Sequence, residues 1–353
     1  DWIEPYLDAY EKIYSNLVKH DPAYPTPRYL RERHVLGNVD DEGEMDKVTA
    51  GSELIVKVLL DDTDDRPVWL QAWGGPNTIA RALKTIQEQH PDKVEQVAKK
   101  IRLFLIWEQD DSYQRYIRPH WEKHGILSII SDQFDAIAYR WDEIIPEPEK
   151  SYYNASWMKA NILNNHGPLC ALYRAKDNGD FRSEGDSPSF MHSIDTGLRS
   201  MEDPSWGGWG GRYVRVRNNT WLDPLVGDRF IYYPEGRWYA KVSQGRQLRA
   251  SKDPADKKLI TPYYRPMWRW SIAFQNDWAA RADWCVKSPE QANHPPNVTL
   301  GHNVDLFAAP GASVKLRAQA HDPDGDKLSY RWWQHQEAGS FLGRIAIKRA
   351  GKR

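Results

Sequence analysis

The chain has 353 residues, enough for two domains and for a core that needs no disulfide or metal staple. Its 48 Lys and Arg balance 49 Asp and Glu, which removes the electrostatic case for a nucleic-acid partner, and no polybasic run points to an anionic membrane. No apolar stretch nears the ~20 residues of a membrane helix, and an aromatic content of 12% argues against disorder.

The aromatic residues are skewed toward 17 Trp and 18 Tyr, against 8 Phe. Burial alone would be served by Phe or Leu. An indole or a phenol adds a flat apolar face with a polar edge, which suits the C–H faces of sugars as well as interfaces. Cys170 and Cys285 have no metal-ligand spacing and read as buried free thiols, with one disulfide as the alternative. Asp1-Trp2-Ile3-Glu4 shows no charged and then apolar leader, so a signal peptide is expected to be absent or already removed.

Along the chain, Trp2, Ile3, Tyr6, Leu7, Tyr10, Ile13, Tyr14 and Leu17 recur at helical spacing, and a Pro-rich turn over 21–27 stops that helix. A second helix is predicted over 46–60. The acidic run 61–65 precedes Pro67 and reads as a solvated loop. Apolar runs at 67–73, 101–107 and 126–130 alternate with helices predicted at 78–89, where Asn77 is the expected cap, and at 113–123. Strands alternating with helices imply an α/β fold, a parallel sheet flanked by helices. Residues 152–172 read as helix, 177–264 as long ordered loops rich in Gly, Pro, Trp and Tyr, and 267–284 as the last helix. Residues 288–296 have the composition of a linker. Beyond it, alternating runs at 297–300, 313–318 and 328–333 suggest an immunoglobulin-like β-sandwich, cut short because about 57 residues remain against ~100 for a complete one. The expected domains are therefore 1–287, α/β, and 297–353, a truncated sandwich.

Ligands of open parallel sheets lie beyond the carboxyl ends of the strands. Trp73 precedes Gly74-Gly75, Trp107 precedes Glu108-Gln109-Asp110-Asp111, and the third strand ends at Ser131-Asp132. Neighbouring strands would place two indoles and several carboxylates on one rim, a constellation suited to a polyhydroxylated ligand. Asn165 and His166 end a helix with polar side chains. Glu184 and Asp186 flank Gly185 in a tight turn, where the plain reading is a helix cap. Trp206 and Trp209 stand among glycines, either as a sugar platform or as an aromatic loop packed on the body. The turn 322–326 reads as Asx-bonded, with weak Ca²⁺ binding as the alternative; it lacks the terminal Glu of an EF-hand loop. Asn154, Asn218 and Asn297 begin glycosylation triplets, which matter only in a secreted eukaryotic protein. There is no GxxxxGK[ST], GxGxxG, GxSxG or HExxH, which excludes phosphate-loop, dinucleotide, serine-hydrolase and zincin chemistry.

Trp69-Leu70-Gln71-Ala72-Trp73-Gly74-Gly75-Pro76-Asn77-Thr78 resembles the strand–loop–helix of nucleoside hydrolases. More closely it is similar to cellulose-binding proteins that carry a nucleoside-hydrolase-like domain. The likeness continues through Gln109-Asp110-Asp111, Asn165-His166-Gly167-Pro168-Leu169, Glu184-Gly185-Asp186-Ser187-Pro188-Ser189-Phe190, Trp206-Gly207-Gly208-Trp209-Gly210-Gly211 and the tail from Asp322 to Trp333. It implies a nucleoside-hydrolase-like domain followed by an immunoglobulin-like one, in a secreted protein that binds or acts on plant polysaccharide. It also implies a Ca²⁺ ion that holds a water and sugar hydroxyls. The aspartate-rich first strand that supplies most Ca²⁺ ligands lies upstream of where this chain begins, so a fragment with an incomplete Ca²⁺ site is expected, Asp186 being the candidate metal ligand.

The leading expectation is an extracellular or periplasmic carbohydrate-active protein that binds polysaccharide or oligosaccharide, and not nucleic acid or membrane. Its catalytic candidates are Asp110, Asp111, Glu184 and His166, a carboxylate activating water and His166 protonating the leaving group. Its substrate-binding candidates are Trp73, Asn77, Trp107, Asn165, Trp206 and Trp209. The rivals are a non-catalytic glycan-binding module resting on Trp206 and Trp209, and a Ca²⁺-dependent nucleoside hydrolase.

Overall fold

A computed structural model describes residues 2–228 and 242–352. Helix α1 (Glu4–His20) buries Ala9, Ile13 and Leu17, the stripe that the spacing predicts. Helix α2 (Ala50–Leu59) starts four residues later than predicted, because Thr49 and Ser52 form a capping box that fixes its first turn. Strand β1 (Val68–Ala72), α3 (Asn77–Gln89), α4 (Val94–Lys100), β2 (Ile101–Ile106) and β3 (Leu127–Ser131) then build the predicted βαβ units. β1, β2 and β3 are parallel neighbours, with Leu70 level with Leu103 and Leu103 level with Ser128. Leu103 and Leu105 belong to a core with Leu83, Ile86 and Trp121, whereas Phe104 and Ile106 pack with Phe134, Tyr213 and Trp221. Burial on both faces is why β2 is a continuous apolar run without alternation.

Two expectations need correction. The region 177–264 holds helix α5 (Ser187–His192), strands β4 (Val214–Arg217) and β5 (Thr220–Leu222), and helix α6 (Gln244–Ala250). β5 joins β3 in parallel and β4 pairs antiparallel with β5, giving the order β1-β2-β3-β5-β4. A three-residue strand leaves no period to detect; its stability comes from docking against β3, which the sequence does not display. Nor is 152–172 one helix. Short turns at Ala155–Met158 and Gly167–Cys170 flank Asn165, whose φ of 65° interrupts the helical path.

Helix α7 spans Ser271–Trp284. The acidic run 61–65 is the solvated loop expected, with Asp64 paired to Arg66 and Asp62 to Lys93. The C-terminal segment is β, but its strands form two separate antiparallel pairs, β6 (Asn297–Leu300) with β7 (Ala318–His321) and β8 (Tyr330–Arg331) with β9 (Gly351–Lys352). No sandwich forms among the described residues. Val298, Leu300, Val314 and Leu316, the apolar half of the alternation, stay exposed. The turn 322–326 is Asx-bonded, Asp322 Oδ1 accepting from the N–H groups of Asp324 and Asp326 at 3.0 and 3.1 Å.

The chain groups into two compact units: Pro25–Ala160 with Tyr173–Asn276, which holds the five-stranded sheet, and Asp1–Tyr24 with Asn161–Leu172 and Asp277–Arg353. This division differs from a cut at the 288–296 linker. In the second unit Ile13, Leu17, Trp284 and Ala292 form a small core of their own. Cys170 and Cys285 there are free thiols, half-buried rather than buried. No described helix is long and apolar enough to cross a membrane.

Candidate functional site

The carboxyl ends of β1, β2 and β3 gather the aromatic and acidic residues of the sheet unit. Trp73, one residue past β1, is 55% exposed, unusual for so large a ring. Its Nε1 donates to Ser189 Oγ at 2.7 Å, and the Phe190 ring lies 6.3 Å away, edge on and also exposed. Gln71 Nε2 adds donations to Ser189 O and Ser193 Oγ at 3.1 and 2.9 Å. These bonds stitch α5 to the end of β1. Since α5 begins directly after Glu184-Gly185-Asp186, they carry that acidic turn to the same rim.

Trp107 ends β2 with φ 57°, a left-handed conformation rare for a bulky residue. Its indole Nε1 donates to Asp132 Oδ1 at 2.6 Å, and its ring meets Phe134 edge to face at 4.7 Å. Phe134 in turn contacts Tyr139, which is 59% exposed and hydrogen-bonded to the Gly185 main chain. Trp107, Phe134 and Tyr139 thus form a line of rings that reaches the acidic turn.

The acids are in different states. Asp110 is buried, and its Oδ1 accepts from the Ser112 N–H at 2.8 Å and from Ser112 Oγ. Its Oδ2 has no partner among the described residues and faces Gly75, where a Cβ would sit 1.9 Å from it. Only glycine fits there. Asp111 is spent on an ion pair with Arg115 at 3.2 Å. Asp186 does not cap α5: the first turn is closed by main-chain bonds to Glu184 O and Asp186 O, and neither the Asp186 nor the Glu184 carboxylate makes a side-chain hydrogen bond among the described residues. Burial, then the neighbouring Glu184, pushes the Asp186 carboxyl up to about 6.

The other predicted residues are engaged elsewhere. Asn77 is not the helix cap; it is buried as the first residue of α3, and its amide donates to Asn38 O and Glu44 O at 2.9 and 3.0 Å, holding the loop before α2. Asn165 and His166 belong to the other unit, where His166 Nε2 lies 3.3 Å from Asp283 Oδ1 and Asn165 is exposed in its left-handed conformation. Trp206 sits under the Arg199 guanidinium at 4.7 Å, and Trp209 meets Phe274 edge on at 6.4 Å; both are half-buried. Their glycines are locked, since a Cβ on Gly210 would lie 2.3 Å from Pro188 O and 2.4 Å from the His192 nitrogen.

Sequence reasoning left out Ser189, Phe190, Phe134, Tyr139 and Asp132. Asp132 was visible as the acid that directly follows a strand, in the place where β2 has Trp107. Ser189 and Phe190 stood in the motif that carries the resemblance, with nothing to show that they reach the rim, and Phe134 and Tyr139 had no signal, because the path of the turns after β3 is not given by the sequence. Among the described residues no three His, Cys, Asp or Glu side chains gather as a cation cage. With Asp111 paired to Arg115 and Asp110 half-occupied by Ser112, the residues present do not fit a Ca²⁺ ion.

Residues 1–213 match the family model described as cellulose-binding Sde182, nucleoside hydrolase-like domain, and residues 313–353 match that of the cellulose-binding protein Sde0182, C-terminal domain. Among solved structures, a nucleoside hydrolase-related protein from Saccharophagus degradans associated with carbohydrate metabolism is similar at 27% identity and a TM-score of 0.73. The alignment covers 99% of this chain and 77% of that one. Among curated proteins none matches significantly. With more than half its length matched and with the parallel sheet in place, the chain belongs to the family of cellulose-binding proteins with a nucleoside hydrolase-like domain.

Proposed function

We propose that the protein binds cellulose-type polysaccharide on the rim of its parallel sheet, with Trp73 and Trp107 as stacking surfaces and Glu184 and Asp186 as hydroxyl acceptors. The carrying observation is the exposed Trp73–Phe190 pair, tied by hydrogen bonds to the helix that follows two unengaged carboxylates. Indoles offer a flat apolar surface to the C–H faces of pyranose rings, and carboxylates accept hydrogen bonds from the equatorial hydroxyls. The family to which the chain belongs supports the ligand class. An insoluble polymer is reached only outside the cell, so the protein acts extracellularly.

The state of Asp186 favours a second reading, hydrolysis of the bound chain. Glycosidic cleavage uses one protonated and one ionised carboxyl group. Asp186, with its carboxyl near 6, is partly protonated close to neutral pH, and Glu184 stands beside it in the same turn. Asp186 is then the acid and Glu184 the base.

Retention on crystalline cellulose, with Trp73→Ala/Trp107→Ala as the control, tests the first reading. Retention equal in the wild type and the double variant removes the rim. Reducing-end release from cellohexaose tests the second, and its absence from a protein that still binds leaves a pure binding module.

A further inference from the structure

The rim reading leaves unexplained why a tryptophan holds a left-handed backbone and what keeps its ring in place. The main-chain N–H of Trp107 donates to Ser131 O at 3.1 Å and so extends the β2–β3 ladder by one rung beyond Ile106. That rung is made at φ 57°, a left-handed conformation unfavourable for an L-residue. Asp132, the next residue after β3, is fully buried and holds the other end of the side chain, its Oδ1 2.6 Å from the indole nitrogen.

Asp132 is itself held from several directions. Its Oδ2 accepts from the Tyr263 hydroxyl at 3.2 Å, and Ser243 adds a hydrogen bond. Its main-chain N–H donates to Asp223 Oδ2 at 2.6 Å, while Asp223 Oδ1 accepts from Ser131 Oγ at 3.1 Å. Arg249 lies 4.0 Å away but is committed to Asp135 at 2.7 Å and to the Tyr264 hydroxyl. The charged and titratable groups facing Asp132 are therefore Arg249, Asp135, Asp223, Tyr263 and Tyr264. A buried carboxylate at a strand end is costly, and neither the strand nor the short turn after it needs one. A carboxylate does give the indole N–H a stronger, charge-assisted acceptor than a neutral group would.

We propose that Asp132 is the positioning residue of the rim: its buried carboxylate holds the Trp107 indole, against an unfavourable backbone conformation, in the orientation that presents the ring to a bound glycan. This rests on the proposed glycan-binding rim. Asp132 touches no ligand and acts only through Trp107. Burial pushes its carboxyl up to about 6, with Arg249 and the indole bond opposing that rise. Protonation then replaces the ionic acceptor by a weaker neutral one as pH falls through that range, and the grip on Trp107 loosens.

The test is cellohexaose binding by calorimetry between about pH 5 and 8, the range in which that carboxyl titrates, on the wild type, Trp73→Ala, Trp107→Ala and Asp132→Asn. The expected result is that both Trp variants bind weaker and that the wild type loses several-fold in affinity toward the acid end. Asp132→Asn binds several-fold weaker at about pH 8 and shows a flattened acid limb. Both Trp variants binding as the wild type sinks the rim reading itself. Trp73→Ala weakened with Trp107→Ala or Asp132→Asn unchanged overturns the inference alone. Should Asp132→Asn fail to fold, the indole N–H resonance of Trp107, assigned with Trp107→Phe, supplies the readout in the wild type. A downfield signal that moves with a midpoint near 6 supports the assignment, and one that stays fixed across the range overturns it.

Discussion

The rim and the Trp206–Gly211 loop use the same ingredients, tryptophans beside paired glycines, and put them to opposite uses. At Trp73 the indole edge is hydrogen-bonded to Ser189 while more than half of the residue stays in solvent. At Trp206 and Trp209 the rings are covered by Arg199 and Phe274, and the glycines exist because the backbone of α5 leaves no room for a Cβ at Gly210. A tryptophan anchored by its edge offers a face; one whose ring already carries a cation or another ring offers less of it. The Trp206–Trp209 platform expected of a glycan-binding module is thus the weaker candidate surface, and the strand-end pair the stronger.

The sharpest way to break this contrast is Gly210→Ala. A methyl group forced against Pro188 O and the His192 nitrogen should cost about 3 kcal/mol or more, seen as a lower urea midpoint. A variant as stable as the wild type would mean that the loop is not packed on α5. Next in size, Trp73→Ala and Trp107→Ala should each weaken cellohexaose binding roughly tenfold, about 1.4 kcal/mol per ring; Trp73→Ala should leave the melting temperature nearly unchanged, whereas Trp107→Ala should lower it, because it takes a donor away from buried Asp132. If hydrolysis is observed, Asp186→Asn should remove the limb of its pH profile near 6, since the group that titrates there is gone.

A fourth prediction concerns His192, beneath the rim. It is fully buried among Trp69, Phe104 and Tyr213, neither ring nitrogen has a partner among the described residues, and burial lowers its pKa to about 4. A value depressed in the folded state means that the unfolded chain takes up the proton first. Stability is therefore intact above the unfolded value of about 6.5 and is lost as pH falls toward 4, by up to ~3 kcal/mol. Asp132, raised to about 6, works with the opposite sign, its ionisation costing the fold as pH rises through that range. The clean readout is thus the difference between His192→Phe and the wild type in denaturant unfolding at several pH values. The variant should lose the His192 slope and keep the Asp132 slope. Smallest of all, Trp206→Ala should leave cellulose retention within about twofold of the wild type, since its ring faces Arg199.

Much of the sheet was legible. β2 and β3 announce themselves as apolar runs because both faces of each are buried, β1 as a shorter run at the half-buried edge of the sheet, and the helices between them carry their own period. β4 and β5 were hidden although Val214-Arg215-Val216-Arg217 does alternate, because a run of four beside an Asn-Asn turn is too short to stand out in an aromatic-rich stretch. At the C-terminus the β character was legible at 297–300 and 328–333, but the run 313–318 stays irregular and the strand forms only from Ala318 to His321. Val298 and Leu300 are spaced for a sandwich, yet both stay exposed. Period reports which side of a strand is apolar, not whether another sheet covers it.

For the site, sequence alone determined that two indoles and a set of acids follow strands, because strand ends and Gly-Gly breaks are local features; that the strands are neighbours came from the structure. It could not tell which acids remain available. Asp110, Asp111, Asp132 and Asp186 are chemically one residue type. A serine two positions on half-occupies the first, an arginine neutralises the second, an indole claims the third, and only the fourth is left open beside Glu184. The first two outcomes come from near neighbours in the chain, but the other two depend on hydrogen bonds and burial that only the tertiary structure supplies.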